Sequence, residues 1–238
     1  FRSIPTHSAI FITMSPQALP PSPLRQQFGD LDIYLFDQLL RGRIVPGMRI
    51  FDAGCGAGRN IQYLLREGYD VSGVDLDERS IQAVRKLAQQ VAPSSSAFQA
   101  DHFRVEPVEA TSFPDAFADL VISHSVLHFA RDEDHFDSMM REMWRLLKPG
   151  GIFFSRLAST IGIEKEVEPV SGRRFLIPDG TGRYLADGTP VRAERYLVDE
   201  EILASLTERL GARMIDPLKT TVVERRRAMT TWVLQKGK

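Results

Sequence analysis

The stretch RIFDAGCGAGRN, Arg49 to Asn60, decides how this chain is read. Met48 to Ala53 reads as a buried strand that carries an acid, Asp52, near its end. Glycines follow at alternate positions, Gly54, Gly56 and Gly58. Glycine admits positive φ and has no side chain, so main chain there can approach a ligand closely. In an open parallel sheet, ligands bind beyond the carboxyl ends of the strands, where strand order reverses, and a loop from the first strand into its helix stands there. A dinucleotide turn has the form G-x-G-x-x-G or A. Counted from Gly54, Gly56 fits, but the third position is Arg59, and the glycine stands one residue earlier, at Gly58. The form G-x-G-x-G suits a nucleotide-like cofactor without demanding a pyrophosphate seat. Asp75 ends a second strand about twenty residues further on. A carboxylate there can accept hydrogen bonds from both hydroxyls of a ribose. The other reading of Asp75 is a helix-capping acid, although Asp77 is better placed to cap.

Outward from this turn, strands alternate with helices. Ile61, Leu64 and Leu65 mark a helix that Gly68 ends, and DVSGVD, Asp70 to Asp75, is the second strand. Ile81, Val84, Leu87 and Val91 give a second helix; Phe103 to Val108 is a third strand and DLVIS, Asp119 to Ser123, a fourth. Phe136, Met139, Met140, Met143 and Leu147 form one helical stripe that ends in LKPGG, a turn into a fifth strand, IFFSRL. Upstream, FGDLDIYLFDQLLRG places Leu31, Leu35 and Leu39 at helical spacing, so the organised chain begins near Gln26. The pattern predicts an α/β fold: a Rossmann-like, doubly wound sheet with helices on both faces.

Composition narrows the function. Of 238 residues, 43% are hydrophobic and 26% charged, which suits one soluble α/β domain. A formal net charge of −1 offers no basic field for nucleic acid or an anionic membrane. The single cysteine, Cys55, excludes an internal disulfide and fits a reducing, cytoplasmic setting. No apolar run reaches the roughly 20 residues of a membrane span. The run Ala9 to Met14 is too short for a secretory signal, and Met14 offers a natural start with residues 1–13 upstream. Residues 1–24, with Pro16, Pro20, Pro21 and Pro23, read as a disordered or loosely docked tail.

DAGCGAGRN, GVDLD, EATSFPDAFADLVISHSVLHF and LKPGGIFF together resemble, in order and spacing, the successive signatures of class I S-adenosylmethionine-dependent methyltransferases, over about Arg49 to Leu157. The GCGxGRN form followed by YLLREGYDVSGVD is similar to the tellurite-resistance and thiopurine methyltransferase-like branches. The resemblance implies a seven-stranded sheet, mostly parallel, with an antiparallel last strand. It implies S-adenosyl-L-methionine as cofactor and S-adenosyl-L-homocysteine as product. Asp52 and the main chain of Ala53, Gly54, Cys55, Gly56 and Gly58 would hold the amino-acid end; a structural acid that ties down the loop's own amides is the other reading of Asp52. Arg59 and Asn60 would bind the cofactor carboxylate or brace neighbouring loops. Asp75 would take the ribose, Leu76 would pack on the adenine, Glu109 with Ala110 would reach the adenine edge, and Ser123 would complete the cofactor-binding set. The family usually has aspartate in place of Glu109, so a solvated acid stands beside that role. Tyr34 would cover the cofactor or simply pack, and Phe113 fits core better than a pocket wall. A catalytic Cys55 has no recognisable base beside it, so small size at a tight turn explains it better.

The acceptor side of this fold would follow the fourth strand, at SHSVLHF, Ser123 to Phe129. Asn or Asp before Pro-Pro-aromatic, the mark of amide- and adenine-nitrogen methylation, is absent. His124 is the candidate general base or pocket lining, and His128 packs on the sheet edge. His124 and His128 stand four apart, a spacing that presents two metal ligands on a helix, but no third ligand follows at a recognisable spacing, so no metal is assigned. Methyl transfer needs in-line placement and exclusion of water, and a base only where the acceptor must lose a proton.

Residues 158–196 read as a lid or substrate-loop insertion, with a β-hairpin around Asp187-Gly188. Arg173, Arg174, Arg183, Arg192 and Arg195 suggest an anionic substrate, but Glu164, Glu166, Glu168, Asp179, Asp187 and Glu194 roughly cancel them, which favours a solvated surface. DEEILASLTERLG is an amphipathic helix, and two strands, Arg213 to Val223 and Met229 to Gln235, follow around a solvated ERRR turn. The expectation is a single methyltransferase domain over residues 25–238, acting on a small-molecule acceptor, with neither nucleic-acid nor membrane partner, as monomer or homodimer. The competing readings are a protein or RNA methyltransferase, which would carry a basic face or added domain, a non-catalytic cofactor-binding module, and a nicotinamide oxidoreductase, which the shifted third glycine opposes.

Overall fold

The computed structural model describes residues 22–93, 99–179, 185, 187, 189–224 and 226–238. Its main sheet is built from β1 (Arg49–Ala53), β2 (Asp70–Asp75), β3 (Phe103–Val105), β4 (Ala118–His124), β5 (Leu147–Ser159), β9 (Arg213–Met214), β10 (Lys219–Val223) and β11 (Arg227–Gln235). The order is β10-β11-β5-β4-β1-β2-β3, with the short β9 paired to β11. The five strands from β5 to β3 are parallel to their neighbours, and β11 runs antiparallel to β5 and β10. These are the seven expected strands with an antiparallel last one, joined by a two-residue eighth. Strand order reverses between β1 and β4, so the ligand-binding end lies beyond Ala53 and His124.

Helices cover both faces. On one side α2 (Ile33–Leu40), α3 (Gln62–Arg66) and α4 (Glu78–Val91) bury Leu35, Leu64, Leu65, Ile81 and Val84 against Ile50, Leu120, Ile122 and Phe154. On the other, α5 (Glu133–Leu146) and α6 (Glu200–Arg209) cover Phe51, Val121, Phe153 and Trp232. Aromatic geometry organises this second layer: Trp232 meets Phe153 edge-on at 5.8 Å, and Phe136 stacks on Tyr196 at 4.8 Å. Burying each such side chain contributes roughly 1.5–3 kcal/mol. Asp77, Asp132 and Asp199 accept hydrogen bonds from first-turn amides of α4, α5 and α6, each cap worth about 1 kcal/mol. Among the described residues, no helix is long and apolar enough to cross a membrane.

Several expectations are corrected. The leading helix is two: α1 (Pro23–Phe28) stops at Gly29, φ +67°, and Asp32 restarts the chain as α2 by accepting from the Tyr34 and Leu35 amides. Residues 22–24, placed in the tail, begin α1, where Ser22 Oγ accepts from the Arg25 amide; the tail before them lies outside the described residues. The third strand ends at Val105 because Glu106 turns to accept from the Ser112 amide, and Pro107 has no N–H for a ladder. LKPGG is paired rather than a free turn: Leu147 faces Ala118 and the Gly150 amide donates to Lys236 O, so β5 starts at Leu147. The strand expected over Arg213 to Val223 is split into β9 and β10, with buried Asp216 and exposed Pro217 between them. Residues 158–196 hold more order than an irregular insertion: β6 (Glu168–Ser171), β7 (Arg174–Pro178) and β8 (Arg192–Tyr196) form a three-stranded antiparallel sheet. Between β7 and β8 the Leu185 amide donates to Thr189 O at 2.7 Å, as a hairpin tip requires, while Gly188 and Arg183 lie outside the described residues.

Candidate functional site

The turn after β1 is tied to the tip of β2. The amides of Gly54 and Cys55 both donate to Val74 O at 2.9 Å. All three glycines have positive φ, +79°, +52° and +89°, yet each answers a different demand. A Cβ on Gly54 would stand 2.3 Å from Val126 Cγ2, and one on Gly58 2.8 Å from the side chains of Val84 and Leu87. Those two glycines let other elements close on the turn. A Cβ on Gly56 would meet nothing within 4 Å, so bare main chain faces open space there. Cys55 is buried, and burial pushes its thiol far above the ordinary range, which removes it as a nucleophile.

Two acids face this turn. Asp52 is 2% exposed, and its carboxyl is pushed up to about 7 by burial and then by the charge of Asp75, against a smaller opposing pull from Arg59. The sequence left open that Asp52 braces the loop amides; Asp75 does so instead. Its Oδ2 accepts from the Gly56 amide at 2.9 Å and its Oδ1 from the Asp77 amide at 2.9 Å. Each oxygen keeps a further lone pair for a ligand. Leu76, beside it, is 70% exposed and offers an apolar face. Asp77 caps α4, as expected.

The remaining predicted residues separate. Glu109 Oε1 lies 3.1 Å from His135 Nε2 at the start of α5, and the Ala110 amide turns back to Pro107 O. Asn60 braces: its Oδ1 accepts from the Asp32 amide at 3.1 Å. Ser123 is fully buried in β4, opposite Ser155 of β5. Phe113 is core, edge-on to Phe51 at 5.0 Å. His124 ends β4 whereas His128 sits in the short 3-10 turn Leu127–Phe129, so no helix presents the pair together. His128 is buried on β5, with Nδ1 accepting from the Ala158 amide.

Beyond β4 and β5 stands a charged cluster that the sequence only partly signalled. His124 Nε2 lies 3.1 Å from Asp32 Oδ2, and the Arg59 guanidinium lies 3.1 Å and 3.2 Å from the two ring nitrogens. Arg156 Nε stands 3.4 Å from the same Asp32 oxygen, and its guanidinium covers the Tyr34 ring at 4.6 Å. Tyr34 is thus packed under a cation, with its hydroxyl 3.0 Å from Thr221 Oγ1. Burial alone would raise the Asp32 carboxyl, but the His124 hydrogen bond and the Arg156 charge outweigh it and hold it below its ordinary value. Sequence reasoning singled out Arg59 and His124 but missed Arg156, whose one available sign was an arginine inside the apolar run IFFSRL, and Asp32, which carried none.

A doubly wound sheet with a glycine turn and two acids at the tips of adjoining parallel strands defines an α/β protein built to hold a nucleoside-type ligand. Residues 51–155 match the family described as methyltransferase domain. A ubiquinone biosynthesis O-methyltransferase of Brucella anthropi is 29% identical over 186 residues, covering 75% of this chain and 65% of that protein. Another, from Methylocella silvestris, is 34% identical over 113 residues, 48% of this chain and 41% of its own length. The chain thus spans less than two thirds of either relative. A SAM-dependent methyltransferase of Methanosarcina mazei shares the fold at a TM-score of 0.67 and 19% identity, covering 84% of this chain and 97% of that one. Over the matched stretch, residues 51–155, and in its fold, the chain is similar to class I S-adenosylmethionine-dependent methyltransferases.

Proposed function

We propose that this protein transfers a methyl group from S-adenosylmethionine to a hydroxyl oxygen of a small molecule. The observation that carries the cofactor half is the raised Asp52 carboxyl, a buried acid short of positive charge, beside the open main chain of Gly56. An ammonium fits that need. Asp52 and the turn from Ala53 to Gly58 would hold the amino-acid end, with Arg59 at its carboxylate. Asp75, held in place by two amides, would take the ribose hydroxyls, and exposed Leu76 would pack on the adenine. Glu109 and Ala110 would border the adenine edge, with Ser123 in the strand beneath. When bound, the cofactor supplies a methyl on a cationic sulfur, which is already an activated donor.

The Asp32–His124 pair supports oxygen as the acceptor atom. With Nε2–H given to Asp32, His124 keeps Nδ1 for the hydroxyl proton, and Asp32 steadies the imidazolium that forms. Arg59 lies against that nitrogen and would turn from it to the cofactor carboxylate when the cofactor binds. The relatives named as O-methyltransferases agree with this chemistry. The β6–β8 sheet, in contact with the turn after β4 through Arg195 and Phe129, is the candidate lid. Calorimetry with S-adenosylhomocysteine and NAD, followed by a methyl-transfer screen across hydroxyl, thiol and amine acceptors, tests the proposal. Binding of the adenosyl ligand but not NAD, with turnover confined to hydroxyls, is expected. NAD binding alone, or turnover confined to amines, would overturn it.

A further inference from the structure

A cavity of about 200 Å³ opens beside the acceptor end, between the turn after β4, the start of β11 and the small sheet. Its walls bring together Ser125, His128, Phe129, Asp179, Arg195 and Arg227. Most arginines of the small sheet are spoken for: Arg173 pairs with Asp199, Arg174 with Glu194 and Arg192 with Glu168. Arg195 differs. It gives one N–H to Glu194 O and lies over the Phe129 ring at 4.6 Å, facing the cavity, where burial lowers its pKa and Asp179 partly restores it. Arg227, expected in a solvated turn, opens β11 and enters the same wall from the opposite element. His128 adds a third donor: its Nδ1 accepts from the Ala158 amide, so its Nε2 carries the hydrogen. Burial, with Arg195 and Arg227 close by, holds its pKa down to about 3, so the ring stays neutral. Among the described residues, two guanidinium groups and one ring N–H therefore line the cavity with one carboxylate, Asp179.

We propose that this cavity seats a carboxylate carried by the methyl acceptor, with Arg195 and Arg227 as its specificity-determining residues. The inference rests on the methyl-transfer reading above and deepens it. Guanidinium groups match carboxylates with paired N–H donors. Phe129 is 57% exposed, so a flat acceptor ring can lie against it. Only Ser125 and Val126 separate His124 from the turn that lines the cavity, so one small acceptor can reach the base with its hydroxyl and the arginines with its acid.

The test is nuclear magnetic resonance on the full chain saturated with S-adenosylhomocysteine, following arginine Nε–H signals as benzoate or benzamide is added. Benzoate should shift the Arg195 and Arg227 signals saturably, and benzamide should not. Arg227→Gln should weaken benzoate about ten-fold or more, and Arg195→Lys, chosen because Arg195→Gln risks the packing on Phe129, should weaken it less. If the adenosyl ligand saturates but benzoate shifts neither arginine, or benzamide shifts both equally, the carboxylate seat falls while the methyltransferase reading stands. If the adenosyl ligand does not bind, both fall.

Discussion

The turn after β1 and the cluster beyond β4 and β5 lie at the same end of one sheet but are built from different materials. The first is main chain: three left-handed glycines, amides locked onto Val74 O and Asp75, and one buried acid. The second is side chain: Asp32, Arg59, His124 and Arg156, brought together from α2, the start of α3, β4 and β5. Main chain makes a fixed seat for an invariant ligand. Side chains can be exchanged without disturbing the sheet, so they suit the part of a site that varies with substrate.

The comparison can be broken at either end. The largest effect is expected at His124. His124→Ala should lower kcat with a hydroxyl acceptor by about 10²–10⁴-fold and leave S-adenosylhomocysteine affinity in place; unchanged turnover would remove the base. Next comes Gly54→Ala, whose Cβ would meet Val126 in a left-handed backbone; it should cost about 2–4 kcal/mol of stability by thermal melting. Gly56→Ala, with open space around it, should cost only about 1 kcal/mol yet weaken the adenosyl ligand, because it fills the ligand's side of the turn.

Asp52 sharpens the contrast through pH. Its carboxyl in the fold, at about 7, lies above the unfolded value of 3.8, so the folded state holds the proton more tightly. Stability should therefore decline as pH rises from about 4 to about 7, and Asp52→Asn should flatten that decline in denaturant melts. Ligand binding near pH 7 should release a proton in the native chain, measured by calorimetry in buffers of different ionisation enthalpy, and not in the variant. The smallest effect is expected at Arg192→Ala, which breaks a surface pair with Glu168 and should change stability by about 0.5 kcal/mol or less.

The glycine turn was legible because its demands are local: positive φ and missing side chains are written in consecutive residues. The strand–helix alternation was legible for the same reason. The break at Gly29 was hidden by continuing apolar spacing across it, although Asp32 gives its reason, since an acid that captures two amides begins a new helix. The charged cluster was not legible beyond His124. Its partners stand 65, 92 and 124 positions apart in ion pairs and hydrogen bonds that exist only once α2 has packed over the sheet edge. Nor could spacing show that Arg195 leaves the ion-pair pattern of its neighbours, because register across β7 and β8 decides which arginine meets an acid.

The central claim is a seat of main chain and two acids at the tips of β1 and β2. A crystal structure with S-adenosylhomocysteine tests it most directly. The ligand's ammonium is expected at Asp52, its ribose hydroxyls on Asp75 and its body against Gly56. A ligand bound at any other place on the chain, or one that leaves both carboxylates untouched, would contradict it.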